Sequence, residues 1–328
     1  MDTALKYQNL IPRYKRSENL WVVTAYYNPC NYQSRRRNYE IFRETLIQAG
    51  IPLLTLECAF RNQPFNLKPS LDVIQIRSNS LIWQKERLIN LGISYLPESC
   101  KAVAWLDCDL LFRNPNWAVE TETLLEEVPI VQCFTTVNRL ENRFDSQCRG
   151  DICRSFADIT PKDPRVLNTG HFDDHGHTGY GWAARKDLLL KHGLYEHAII
   201  GSGDHYIAHA IFGDFRGFCI KLSTCESPDL LDHFQDWASA LYDDVQGQVA
   251  AVSGEVMHLW HGDLDNRQYL KRHRDVAKLG FNPYEDLIAA PGKPLEWNPA
   301  TGKQDLWDYF DEYFASRLED GKSLLQAA

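Results

Sequence analysis

The run Ala102-Val-Ala-Trp-Leu106 is apolar at every position and is followed at once by Asp107-Cys108-Asp109. A strand with one wet face alternates polar and apolar residues. A run without a polar residue belongs to a strand covered on both faces, the habit of central strands in α/β sheets. The rest of the first half has matching texture. Leu20–Ala25 reads as a first buried strand ending in the polar turn Tyr26–Tyr32, with further strands at Ile51–Leu56, Asp72–Ile76 and Ile130–Phe134. Helical spacing falls between them, over Asn38–Gln48 and Ile82–Leu91. Strands alternating with helices predict an α/β fold with a mostly parallel central sheet flanked by helices.

Past residue 140 the texture changes. Glu141–Asp174 is polar and reads as long loops around a short helix. Gly179–Trp182 leads into a helix over Arg185–His192, and Asp204–Phe212 reads as another. A late strand is expected at Val256–Trp260, a basic helix over Asn266–Leu279 and a final amphipathic helix over Asp305–Leu318. Neither a repeat nor a Pro/Gly linker divides the chain, so residues 1–328 are expected to form one domain.

Hydrophobic residues make up 44% of the 328, enough for a substantial core. The formal charge of -9 disfavours nucleic acid and anionic lipid as partners. An anionic ligand remains compatible with that charge if a divalent cation bridges the two. The nine cysteines are odd in number and irregular in spacing, with no CxxC pair, which argues against a disulfide framework. Cys100, Cys108, Cys133 and Cys219 lie in or beside apolar runs, where cysteine serves as a small buried hydrophobe. With no signal-length apolar segment at the start and no run of about 18–20 apolar residues, the chain is expected to be soluble and cytoplasmic.

Side chains two apart in an extended chain point to the same side, so Asp107 and Asp109 would present two carboxylates together. They would do so at the carboxyl end of a buried strand, where open α/β sheets bind ligands. Like charges at that spacing oppose each other's ionisation. A hard divalent cation, Mn2+ or Mg2+, removes the penalty and can bridge to a diphosphate. The competing reading is a pair of aspartates that merely ends a strand and caps the next turn.

The segment from Trp83-Gln-Lys-Glu-Arg-Leu-Ile-Asn90 through Leu96-Pro97 to Asp107-Cys108-Asp109 and Phe112 resembles the donor half of GT-A glycosyltransferases, whose central sheet is Rossmann-like. Gly179-Tyr180-Gly181-Trp182 resembles the acceptor loop of galactosyltransferase-like members. Gly201-Ser202-Gly203-Asp204-His205 resembles their acidic motif, and His258-Leu-Trp-His261-Gly262 their metal-completing histidine. The likeness runs over roughly residues 20–275 in the family's order. It implies a donor half over about 20–135, an acceptor half over about 136–280 and a helical tail over 281–328.

The resemblance implies transfer of a sugar from a nucleotide diphosphate sugar, a UDP-sugar by preference, to a carbohydrate or other acceptor hydroxyl. Thr24, Ala25, Tyr26, Lys85, Asp107 and Cys108 are the implied donor contacts. Asp107 and Asp109, with His258 or His261, are the implied metal ligands. Tyr180, Gly181, Trp182 and Asp204 face the acceptor, with Asp204 as general base if the reaction inverts. An odd spacing on a strand would set His258 and His261 on opposite faces. Trp182, Trp260 and Tyr180 are candidate sugar-stacking rings, with burial in the core as the alternative. Arg35-Arg36-Arg37 reads as a solvated basic face more readily than as a diphosphate contact. His171-Phe-Asp-Asp-His175-Gly-His177 carries zinc-type donors, but its place ahead of Gly179 favours a mobile acceptor loop.

Two other classes fit less well. Haloacid-dehalogenase-like phosphohydrolases also place DxD after a central strand, but favour Thr or Val where this chain has Leu111. A non-catalytic carbohydrate-binding protein on a degenerate frame would have no need of both aspartates.

Overall fold

A computed structural model of the chain describes residues 11–140, 150–169 and 174–321. The first half alternates as the hydrophobic pattern predicts: β1 (Leu20–Tyr26), α1 (Gln33–Gln48), β2 (Leu53–Phe60), β3 (Val73–Ser78), α2 (Lys85–Ser94), β4 (Ala102–Leu106), β5 (Leu110–Phe112), α3 (Trp117–Glu127) and β6 (Ile130–Gln132). The second half adds β7 (Thr136–Leu140), β8 (Gly150–Arg154), α4 (Phe156–Ile159), β9 (Gly181–Arg185), α5 (Lys186–His192), α6 (Gly203–Ile211), α7 (Phe218–Thr224) and α8 (Pro228–Val245). It continues with β10 (Val249–Ala251), β11 (Glu255–His258), α9 (Tyr269–Lys278) and α10 (Gln304–Ser316).

Among the described residues the main sheet has seven strands in the order β10-β6-β9-β4-β1-β2-β3. Its pairings are parallel except at β9, which runs antiparallel to both β4 and β6. The α/β class with a mostly parallel sheet is therefore the one observed. β4 is buried at all five positions, as an all-apolar strand must be. Its residues alternate between two cores: Val103 and Trp105 join α2 and α8, while Ala102, Ala104 and Leu106 join α1 and α3. Each large apolar side chain buried in this way contributes roughly 1.5–3 kcal/mol.

A second sheet, of order β5-β11-β7-β8, abuts the carboxyl edge of β4 because only three residues, 107–109, separate β4 from β5. The thiols of Cys100, Cys108, Cys133 and Cys219 are buried and unbridged. Among the described residues no helix is long and apolar enough to cross a membrane.

Three expectations need correction. The helix expected from Asn38 begins at Gln33, because the Asp320 carboxylate accepts from the free N–H groups of Gln33 and Ser34 at 2.9 and 2.7 Å. Gly181–Arg185 is a strand, not the end of a loop, with Gly181 paired to Leu106 and Trp182 to Trp105. The late strand stops at His258, so alternation does not extend to His261. His171, Phe172 and Asp173 lie outside the described residues.

Candidate active site

Parallel pairing of β1 with β4 puts the ends of both strands at one edge of the sheet. Antiparallel β9 begins at that edge, with the Asp107 N–H donating to the Tyr180 carbonyl at 2.8 Å. A cleft of about 830 Å³ opens there, lined among others by Ala25, Tyr27, Lys85, Asp107, Cys108, Asp109, Tyr180 and Asp204. The carboxyl edge of a largely parallel sheet is the expected place for it.

The chain turns after Leu106, and the two aspartates diverge instead of sharing a face. Asp107 meets Lys85, whose Nζ lies 2.7 Å from its Oδ1 and 2.6 Å from Asp204 Oδ2. Lys85 stands at the first position of α2, where Gln84 exchanges two hydrogen bonds with the Leu295 backbone. Gly92 lets the helix lie close on the sheet, since a Cβ there would overlap Val23 and Leu56. Burial alone would push the Lys85 ammonium down, but Asp107, Asp204 and Glu86 raise it well above the ordinary range.

Asp109 faces His258 and His261 instead. Leu110 pairs with His258 across β5 and β11, and the Leu259 N–H donates to the Asp109 carbonyl at 2.9 Å. Those pairings bring His258 Nε2 to 3.6 Å and His261 Nε2 to 3.1 Å from the Asp109 carboxylate. Both histidines thus turn to the same aspartate, contrary to the opposite-face expectation, because the chain leaves the strand between them. Asp109 is 8% exposed, and its Oδ1 accepts no hydrogen bond among the described residues. Burial would push its carboxyl up, yet the two histidines hold it well below the usual range.

A residue from the far end of the chain fixes the His261 ring. Its Nδ1 lies 3.2 Å from Glu319 Oε2, so Nδ1 carries the proton and Nε2 keeps its lone pair. Arg267 donates to that lone pair at 2.9 Å. Glu319 is itself clamped by Arg35 at 3.1 Å and Arg317 at 2.5 Å, and despite burial it is held well below the usual range by those guanidiniums. Asp109, His258 and His261 therefore bring three possible ligand atoms within 4.8 Å of one another, with His261 backed by a carboxylate as metal-bound histidines commonly are. This donor set fits a divalent cation, and the unbonded Asp109 Oδ1 is the atom that most needs one. Asp107 is not part of that convergent group.

On the opposite wall, Asp204 sits in the first turn of α6, after Gly201 and a left-handed Ser202. Arg272 and His273 both reach the Ser202 hydroxyl at 3.0 Å, pinning this turn. Burial pushes the Asp204 carboxyl up, and Lys85 offsets that in part. The helix-end position alone predicts the reverse shift, so burial outweighs the dipole here. Burial also pushes the Cys108 thiol up to about 12, which keeps it an uncharged part of the floor.

Several implied contacts lie elsewhere. Thr24 is fully buried and donates to the Leu106 carbonyl at 2.7 Å, and Tyr26 packs on Tyr39. Strand alternation sends these two toward α1, so β1 and its end reach the cleft through Ala25 and Tyr27. Trp182 is fully buried with its indole N–H on the Thr178 carbonyl, and a Cβ on Gly181 would overlap Leu106; neither lines the cleft. Trp260 is half-buried beside Gly321 and also lies outside it. Tyr180 does line the cleft, with its ring between His177 and His258 at 4.4 and 5.0 Å. Of the arginine triplet, Arg35 points in while Arg36 pairs with Glu40 on the surface.

Glu86, Arg267 and Glu319 belong to the site without having been singled out. Burial pushes the Glu86 carboxyl up to about 8 against the pull of Lys85, so it is largely protonated at neutral pH. It is lodged where a Cβ on Gly203 would overlap it. The Glu86 signal lay beside Lys85 in sequence, whereas nothing near Arg267 or Glu319 marks them as neighbours of His261.

The fold and cleft define an α/β protein with a candidate cation site at the carboxyl edge of its sheet. Similar solved structures include mannosyl-3-phosphoglycerate synthase from Rubrobacter xylanophilus, 12% identical with a TM-score of 0.37, covering 90% of this chain and 87% of that one. Another is a mutant Drosophila beta-1,4-galactosyltransferase 7 in complex with manganese, UDP-Gal and xylobiose, 10% identical, TM-score 0.38, covering 89% and 98%. A third is 4-diphosphocytidyl-2C-methyl-D-erythritol synthase from Anaerococcus prevotii, 11% identical, TM-score 0.36, covering 82% and 99%. No protein-family model matches the chain, and no curated protein matches it.

Proposed function

We propose that this chain is a metal-dependent glycosyltransferase of the GT-A kind, moving a sugar from a nucleotide diphosphate sugar, a UDP-sugar by preference, to an acceptor hydroxyl. One observation carries the reading: a single cleft holds the convergent Asp109, His258 and His261 and, across from them, Asp204 paired with Lys85. In this reading residues 1–328 act as one catalytic domain.

Asp109, His258 and His261 would hold the cation, with Glu319 fixing the His261 tautomer. One carboxylate with two imidazoles suits Mn2+ better than Mg2+, which favours all-oxygen shells. When bound, such a cation supplies positive charge to the diphosphate leaving group. Arg267 adds a guanidinium beside it. Ala25 and Tyr27 offer the nucleoside an apolar wall.

Asp204 takes the proton from the acceptor hydroxyl if the reaction inverts the anomeric centre. The acceptor oxygen then bonds to the anomeric carbon as the carbon–oxygen bond to the diphosphate breaks, and the nucleoside diphosphate leaves with that electron pair. A carboxyl raised by burial is a better base than a solvated one, and Lys85 keeps it from being raised further. Largely protonated Glu86 can donate a hydrogen bond to a substrate oxygen in the same cleft.

A UDP-release assay over a panel of donors, with Mn2+ and with EDTA, tests the proposal. Metal-dependent release with at least one nucleotide sugar is expected. Indifference of the whole panel to metal would remove its basis.

A further inference from the structure

Beside Asp204 is a second group of donor side chains, His175 and His205 at the cleft wall with His209 and Cys219 behind them. All four are buried, at 1%, 5%, 0% and 0% exposure. One ligand atom from each lies within 4.8 Å of the others. They come from three segments. His205 and His209 are one turn apart on the same face of α6, Cys219 is on α7, and His175 precedes Gly176 in the segment leading to β9.

The outer hydrogen bonds decide which ring atoms face the centre. His175 Nδ1 donates to the Gly176 carbonyl at 2.9 Å, and His209 Nδ1 donates to Asp214 Oδ2 at 2.7 Å. In both rings Nε2 therefore keeps its lone pair. His175 Nε2 lies 3.5 Å from Cys219 Sγ. His209 Nε2 is buried and has no hydrogen-bond partner among the described residues. A bare imidazole nitrogen deep in a core is costly, and a carboxylate or carbonyl behind each imidazole is the usual outer support of a metal-bound histidine.

Gly176 fixes this arrangement further. It adopts φ +82°, and a Cβ there would overlap the Ser155 backbone. The neighbouring His177 N–H and carbonyl bond to the backbone of Arg154 and Phe156 at 2.8 and 3.0 Å. The turn carrying His175 is thus held in place by the chain around it.

We propose that His175, His205, His209 and Cys219 form a structural zinc site closed by four protein ligands. Three imidazoles and a thiolate match the nitrogen and sulfur preference of Zn2+ in tetrahedral coordination. Zinc–ligand bonds of about 2.0–2.3 Å set neighbouring donors about 3.3–3.7 Å apart. The 3.5 Å between His175 and Cys219 already meets that, and all four ligand atoms lie within 4.8 Å of one another. The ion ties α6 and α7 to the segment before Tyr180, which sets the position of Asp204 beside His205. This site shares no ligand with Asp109, His258 and His261 and stands or falls independently of them.

The test uses the full chain, untagged, and measures its metal content after dialysis against EDTA. About one zinc per chain is expected to remain, in Asp109→Ala as in the parent. Cobalt incorporated during expression in zinc-poor medium should give a thiolate-to-cobalt charge-transfer band in the near-ultraviolet. The proposal predicts that Cys219→Ser, which alters only one ligand atom, loses the band, and that Asp109→Ala keeps it. A parent chain that retains no zinc and shows no such band overturns the site, as does a band that survives Cys219→Ser.

Discussion

Glu319 and His261 are 58 residues apart in the chain, yet the Glu319 carboxylate lies 3.2 Å from the His261 Nδ1 and turns the opposite nitrogen toward Asp109 and Arg267. Outer-sphere carboxylates of this kind commonly change metal affinity by about 10–100-fold. Glu319→Gln is therefore expected to weaken Mn2+ binding by about 10-fold or more while Asp109, His258 and His261 remain. Titration calorimetry of the two chains checks this. Equal affinities would separate Glu319 from the metal.

Lys85 ties Asp204 to Asp107 across the cleft at 2.6 and 2.7 Å. If Asp204 is the base, Asp204→Asn should leave donor affinity within about twofold and lower turnover by about 10²–10⁴-fold. Equilibrium donor binding and initial rates, measured on the same preparation, separate the two effects. A variant that loses donor affinity and turnover together would place Asp204 on the donor instead.

Glu86 makes stability depend on pH in a stated direction. Its carboxyl sits near 4.5 in the unfolded chain and is pushed up to about 8 by burial in the fold. Below about 4.5 both states hold the proton and the group is neutral in its effect. Between about 4.5 and about 8 the folded chain keeps a proton that the unfolded chain has lost, so this group costs stability as pH rises, and above about 8 the cost is constant. Glu86→Gln mimics the protonated form and should remove that fall, gaining on the order of a few kcal/mol above about pH 8. Urea midpoints near pH 5, 7 and 9, roughly spanning this window, give the readout. Parallel curves for parent and variant would mean the carboxyl is not shifted in this way.

What could be read from the sequence is what local pattern dictates. Ala102–Leu106 was recognisable as a central strand because a five-residue apolar run, too short for a helix and ending in polar residues, fits a strand covered on both faces, and this places the aspartates after it at the sheet edge. The direction of those aspartates was not readable, since the turn at residues 107–109 ends the alternation that would have aimed them together. Lys85 and Asp204 are 119 residues apart, and their ion pair follows from the packing of α2 against the sheet, not from any local spacing. The start of α1 was misplaced for a similar reason, because its cap is supplied by Asp320. His175 drew notice for its histidine-rich neighbourhood, but its partners on α6 and α7 became visible only in three dimensions.

In the proposed function, the Asp109, His258 and His261 group binds a cation that in turn meets a nucleoside diphosphate. Free Mn2+ can be followed by electron paramagnetic resonance as it is titrated into the full chain, with and without UDP. Thermodynamic linkage predicts that UDP tightens Mn2+ binding in the parent chain, and that Asp109→Ala abolishes both the binding and its enhancement. Mn2+ affinity that is unchanged by UDP, or undiminished in Asp109→Ala, would contradict it.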